Sequence, residues 1–315
     1  QYILFTRILL ISPVLFGLSN LYGKMMLSFK EFLWYGLSPA FYNLGIVIGA
    51  AVLAPRFGPL GLVAGPLLGA LMHVSLRFIN VRRPKIGFRH ALDFTLSPEV
   101  KETLKLTAPK IVQYGMWAFL MASFTRIASQ LPEGSVSVYN YARNFQSIPV
   151  SLIGVAIALA MYPGLSHDAA KGNFEKFRID FRQGHARCMF YTTLAAIVLA
   201  LLGKPIISLL LGGGAFDENQ ASLLAKVLAV YCLSVPLESL MHAYHRTYYA
   251  LRNTMIPALV HAVMILGTIV MAKILAPIIG VYAIPLSFAG GLMVHIGILA
   301  LAFPSVFQKA AKNEK

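Results

Sequence analysis

The sequence predicts an all-α polytopic membrane protein of about nine transmembrane helices. Three observations predict it. The 315-residue chain is 57% hydrophobic and only 12% charged, against about 25% charged residues in soluble domains, and its mean hydropathy is +0.69. The apolar residues are gathered into runs of the roughly 20 residues that a bilayer core demands of a helix. Lys and Arg sit almost entirely in every second gap between those runs, the pattern left when basic loops stay on the cytoplasmic side.

Taken in order, the spans fall at about 2–27 (with Pro13), 33–54, 60–78, 104–130, 136–162, 188–211, 221–244, 256–276 and 281–303. The third carries Gly61, Gly65 and Gly69, a ridge of small residues four apart that lets helix backbones approach closely. The first gap holds Lys24 and Lys30. The third holds Arg77, Arg82, Arg83, Lys85, Arg89, Lys101 and Lys105, and the fifth holds Lys171, Lys176, Arg178, Arg182 and Arg187. The seventh holds Arg246 and Arg252, and the tail Lys309, Lys312 and Lys315. The intervening gaps carry Arg56, Glu133, and Asp217 with Glu218. This alternation puts residue 1 outside the cytoplasm and the C-terminus inside it.

The gap at 77–103 is the longest, so the expected organisation is a three-helix portion at 1–78, a basic cytoplasmic linker at 79–103, a six-helix lobe at 104–305 and a cytoplasmic tail at 306–315. The helix carrying Pro13 leads into Ser38-Pro39-Ala40, and the helix carrying Pro236 leads into Ile256-Pro257-Ala258, an echo of the parallel repeats common in transporters. The net charge of +15 lies in loops between apolar runs, which points to anionic lipid headgroups and not to nucleic acid. Cys188 and Cys232 fall in apolar runs and read as small core residues.

Gly212-Gly213-Gly214 lacks the Lys-Ser/Thr of a phosphate-binding loop. His242 and His245 lack the Glu of an H-E-x-x-H pair, so neither a metal site nor a cofactor is expected. Scattered acids at the membrane faces argue against an enzyme. Ionisable groups within spans usually face a cavity or a partner. Arg143 lies in a polar patch with Asn140, Asn144, Gln146 and Ser147 just before Pro149, too polar to face lipid throughout. The reading is an aqueous, cation-lined cavity at Arg143, Asn140, Asn144 and Gln146, against a snorkelling or interhelical arginine. Glu238, the carboxylate well inside a span, reads as a proton carrier or as the charge partner of a cation on a neighbouring helix. Lys110 and Arg126, near the two ends of the fourth span, read as snorkelling residues.

Gly134-Ser135-Val136-Ser137 runs into Tyr141-Ala142-Arg143-Asn144, then Pro149, Gly154-Val155-Ala156, Pro163 and Leu165-Ser166. With Leu37-Ser38-Pro39-Ala40-Phe41-Tyr42-Asn43-Leu44-Gly45, Gly214-Ala215-Phe216 and Tyr248-Tyr249-Ala250-Leu251-Arg252-Asn253-Thr254, this resembles the MurJ/MviN family of lipid II flippases. That family lies within the multidrug/oligosaccharidyl-lipid/polysaccharide exporter superfamily. The resemblance implies fourteen helices in two lobes, of which this chain matches the fourth through the twelfth. The chain begins at Gln1 and not at Met, so it is expected to be a fragment or truncation lacking the first three helices and the last two.

The resemblance also implies a bacterial inner-membrane transporter, monomeric, whose cationic cavity takes the pyrophosphate headgroup of lipid II while the lobes rock. The alternatives are an exporter of drugs or other polysaccharide lipids, or an inactive remnant. The family usually places Asn or Asp and then Arg where Arg143 and Asn144 stand, so the guanidinium is displaced by about 100° around the helix. Where some family members place the Asp of a sodium site this chain has Phe124, followed by Thr125, and the Asn residues expected in the family's eleventh helix fall at Thr268 and Ala272, so no sodium site is expected.

Overall fold

In a computed structural model, which describes residues 2–29, 31–88, 97–211 and 218–313, the protein is built from α-helices alone among the described residues. They form nine helical runs, divided between two compact units.

The first unit holds α1 (Tyr2–Leu9), α2 (Ile11–Ser28), α3 (Phe32–Ile48), α4 (Ala54–Phe57) and α5 (Pro59–Val81). The break between α1 and α2 falls three residues before Pro13, which has no N–H to offer the carbonyl of Leu9. The glycine ridge does the work its spacing predicts. A Cβ on Gly45 would collide with the backbone of Gly69, and one on Gly49 with Gly65, so α3 and α5 meet backbone to backbone. A π-helical turn at Gly49–Leu53 carries α3 into α4 beyond this contact. Gly58, at φ +61°, then turns the chain into α5, whose first residue is Pro59.

The second unit holds α6 (Pro98–Ala128), α7 (Ser135–Pro149), α8 (Ala156–Ala170), α9 (Phe174–Leu211), α10 (Glu218–Cys232), α11 (Ser234–Ala250), α12 (Met255–Ile279) and α13 (Ala283–Asn313). Ser97 caps α6 by accepting from the Val100 amide, with Pro98 at the first helical position. Pro149 interrupts the bond pattern of α7, and a π-helical turn at Val150–Val155 absorbs the disruption before α8. There Gly154 passes against Ser239 of α11 with no room for a side chain. α10 and α11 bend by 40° at Leu233, again three residues before a proline, Pro236. Gly280, at φ +60°, separates α12 from α13. Leu120, Phe124, Tyr139, Leu228, Ile265 and Phe288, from α6, α7, α10, α12 and α13, share one buried core.

Six helical stretches among the described residues are long and apolar enough to cross a membrane, and the bent α10–α11 pair makes a seventh. One of the six, Met255–Lys312, is 58 residues long; at 1.5 Å per residue it spans roughly 87 Å and so contains two crossings, α12 and α13. Leu201, Leu209 and Leu301 are each at least 75% exposed, as lipid-facing residues of such helices must be.

Several sequence expectations change. Arg77 is a buried residue of α5 and not part of a loop. Helix α5 reaches Val81 and α6 begins at Pro98, so both ends of the expected linker at 79–103 are helical. The basic segment before residue 188 is the first third of α9, whose 38 residues span about 57 Å, well beyond a hydrocarbon core of about 30 Å. The tail at 306–315 continues α13 to Asn313. Lys30, Arg89 and the Gly214-Ala215-Phe216 turn lie outside the described residues.

Candidate functional site

Helix α7 presents two faces. Val138, Tyr139, Ala142, Phe145, Gln146 and Pro149 are buried against the second unit's core. Ser137, Asn140, Tyr141 and Asn144 are exposed. Spacings of three and four residues put these four on one stripe. Asn140 donates from Nδ2 to the Val136 carbonyl at 3.0 Å, and Asn144 carries its side chain on the same exposed face.

Arg143 sits one residue before Asn144, about 100° around the helix, and turns inward. Its Nη2 donates to Glu238 Oε1 of α11 at 2.8 Å, with the two side chains 14% and 4% exposed. Its Nη1 donates to Gln146 Oε1. The Gln146 amide completes the network by donating to Glu238 Oε2 at 2.9 Å and to Ser234 Oγ at 3.0 Å. Ser234 in turn donates to the Tyr231 carbonyl at 2.7 Å. The guanidinium carbon lies 5.6 Å from the Trp117 ring centre and 5.4 Å from that of Phe288, within cation–π range of both. The structure therefore brings Arg143, Gln146 and Glu238 together, and leaves Asn140 and Asn144 on the outer stripe. Glu238 stands here as the charge partner of Arg143. Ser234, Trp117 and Phe288 complete the site. Ser234 lies four residues before Glu238 on the same face of α11, a spacing that could have flagged it.

A second cationic feature lies in the same unit. Lys110, Tyr162, Ser166, Tyr249, Arg252 and Thr254 line a recess of about 490 Å³. Lys110 Nζ stands 4.5 Å from the centre of the Tyr249 ring, and the Tyr249 hydroxyl donates to Gln113 Oε1 at 2.8 Å. Arg252 Nη1 reaches Glu102 at 3.7 Å, an exposed pair of little energetic weight.

In the first unit, Arg77 is 4% exposed. Its Nε donates to Ser38 Oγ at 3.0 Å and its Nη1 to the Ser19 carbonyl at 3.1 Å. The guanidinium lies 4.6 Å from the Tyr35 ring centre, and His73 Nδ1 pairs with Ser19 Oγ at 2.8 Å. Among the described residues Arg77 makes no salt bridge. The sequence alone concealed this site, because a charge near the end of an apolar run reads as loop.

The family model described as Lipid II flippase MurJ matches residues 2–312. A "Probable lipid II flippase MurJ" of Bdellovibrio bacteriovorus is 29% identical over 243 residues, covering 76% of this chain and 46% of the relative. A "Lipid II flippase MurJ" of Burkholderia cenocepacia is 22% identical over 302 residues, covering 94% of this chain and 58% of the relative. The chain thus spans about half the length of the curated relatives it matches. Among solved structures, "Lipid II flippase MurJ, inward closed conformation" superposes with a TM-score of 0.73 at 22% identity, covering 96% of this chain and 64% of that one. "Crystal structure of MATE in complex with MaL6" gives a TM-score of 0.80 at 14% identity, covering 98% and 70%. At these identities the structural likeness is one of fold.

Proposed function

This chain belongs to the lipid II flippase MurJ family, and from that premise we propose that it acts within a transporter that flips lipid II from the cytoplasmic to the outer leaflet of the bacterial inner membrane. The transport runs by alternating access, the undecaprenyl chain staying in lipid while the pyrophosphate and sugar-peptide headgroup crosses in a cationic cavity. It serves peptidoglycan biosynthesis, and the transporter is a monomer. The C-terminus is cytoplasmic, a reading supported by the alternation of basic gaps, whose cations also hold anionic lipid headgroups.

The observation that carries the reading is the family match over residues 2–312, joined to the polar stripe of α7. Asn140 and Asn144 are exposed on a helix of a multi-pass membrane protein, and exposed amides are costly against hydrocarbon, so they favour a wet surface. In the proposed site these two amides meet the headgroup directly. Arg143 stands behind them, supported by Gln146 and Glu238. A guanidinium has five N–H donors and Arg143 commits two of them to Gln146 and Glu238, so donors remain for a phosphate oxygen. A diphosphate cannot cross hydrocarbon bare, and this arrangement offers it donors together with a fixed cation.

The test is complementation of a flippase-depleted bacterium by the full-length protein, with lipid II binding measured on the purified transporter. Rescue by the wild type, and weakened binding by Arg143→Glu, support the reading. Drug resistance without rescue makes the protein an exporter of the wider superfamily, and neither activity makes it an inactive remnant. Unchanged lipid II binding by Arg143→Glu removes Arg143 from the site.

A further inference from the structure

Three of the chain's eight histidines meet inside the second unit, next to the Arg143 network, with which they share a neighbour in Trp117. His245 comes from α11, His261 from α12 and His295 from α13, and they are 6%, 3% and 0% exposed. One ring nitrogen from each lies within 4.8 Å of those of the other two. His245 Nε2 and His295 Nε2 are 3.0 Å apart. The ring centres are separated by 5.1 to 5.6 Å and the ring planes cross at 72° to 86°, so edges and not faces converge.

Protein partners leave this cluster unsatisfied. Two imidazole nitrogens at 3.0 Å can share one proton between them, but the third ring has no such mate. His261 Nδ1 is buried without a hydrogen-bond partner, whereas His295 has the Val260 backbone carbonyl to bond to. Buried polar atoms of that kind are rare and call for a physical cause, an unseen ion among them. Gln113 Nε2 of α6 stands 3.0 Å from His245 Nδ1 and 3.3 Å from its Nε2, so this amide fixes the ring from the edge between its two nitrogens. Trp117 stacks on His261 at 5.9 Å and 19° and shields it.

We propose that His245, His261 and His295 form a binding site for a divalent transition-metal ion, with zinc the best match, that ties α11, α12 and α13 together. The donor set selects the class of ion. Neutral imidazoles suit zinc, copper, nickel and cobalt, whereas sodium, magnesium and calcium take oxygen ligands. Three histidines with a fourth position open is an established zinc arrangement. Tetrahedral bonds of about 2.0–2.1 Å place neighbouring ligand atoms roughly 3.3–3.4 Å apart. One pair here is already slightly closer than that, and the third nitrogen lies within 4.8 Å of both. The three ligands lie on consecutive helices, 16 and 34 residues apart in the chain (261 − 245 and 295 − 261). No local motif announces them, and the expectation drawn from His242 and His245 alone was of no metal. The inference is independent of the flippase reading.

The experiment uses the protein purified in detergent through a tag without histidines, stripped with a chelator and reloaded with Zn(II) or Co(II). One metal per chain by elemental analysis, tetrahedral Co(II) absorption bands, and X-ray absorption showing imidazole nitrogens around zinc are expected. His261→Asn and His295→Gln should each weaken binding by at least about tenfold, the scale at which even outer-sphere changes act on metal affinity. His185→Gln, a buried histidine bonded to the Phe181 carbonyl, should keep it. Absence of bound metal in the folded wild type, or stoichiometric binding that survives in both cluster variants, overturns the proposal. A variant that fails to fold leaves the wild-type absorption spectrum to decide, and a zinc shell without imidazole overturns the proposal equally.

Discussion

Replacing Glu238 by Gln should destabilise the second unit by about 2–3 kcal/mol. The change keeps the side-chain volume and an oxygen that can accept from Arg143, but it puts a donor where Glu238 accepts from Gln146, so the loss combines the charge with that hydrogen bond. Two unit charges whose centres lie about 4 Å apart attract by ~4 kcal/mol at an effective dielectric of about 20; the Arg143–Glu238 contact is 2.8 Å between nitrogen and oxygen. The neutral amide restores a hydrogen bond worth about 1 kcal/mol. Arg143 is 14% exposed, so part of its charge stays hydrated, which trims the remainder further. The assay is denaturation of the purified protein in detergent, carried through a double-mutant cycle with Arg143→Met. Removing one member of a buried pair strands the other, whereas removing both does not. The double variant Arg143→Met/Glu238→Gln should therefore recover most of the loss, with a coupling of about 2 kcal/mol. Stability of Glu238→Gln within about 0.5 kcal/mol of wild type would refute the reasoning. An equal loss in the Arg143→Met background would show that Glu238 matters for something other than this pair.

Two further outcomes follow from the packing. Gly65→Val should separate α3 from α5, because the added atoms enter backbone of Gly49 that cannot rotate away; overpacking costs typically 1–3 kcal/mol, and a lower denaturation midpoint, with Gly17→Val as the control where a Cβ meets nothing, checks it. Asn144→Cys should react with a membrane-impermeant thiol reagent while Leu152→Cys, on a 72% exposed apolar surface, should not; background is low because Cys188 and Cys232 are buried, and equal labelling of the two positions would dismiss the wet stripe.

The helices were legible because their signals are local: apolar length, the glycine spacing on α5, and prolines that break helices three residues upstream at both Leu10 and Leu233. Helical periodicity also groups Asn140 with Asn144, and Arg143 with Gln146. It does not say which of the two groups faces inward. That is settled by what the neighbouring helices offer, here Glu238, Ser234, Trp117 and Phe288. Arg77 was misread for a related reason. Charge counting assumes that a cation seeks water, and it fails where side-chain and carbonyl oxygens are arranged to replace water. The histidine cluster lay beyond reach altogether, since its members become neighbours only once α11, α12 and α13 are packed.

The two buried arginines answer one physical problem in different ways. Arginine does not lose its proton inside a protein, so burial must be compensated by its surroundings. For Arg143 a carboxylate supplies the compensation, and the pair together carries no net charge. For Arg77 the compensation comes from Ser38, the Ser19 carbonyl and the Tyr35 ring, which are dipoles and a quadrupole. Room for it depends on Gly23, where a Cβ would stand 2.6 Å from the guanidinium nitrogen. Dipoles solvate a cation without cancelling its field, so Arg77 keeps its net charge within the first unit, whereas Glu238 largely cancels the field of Arg143.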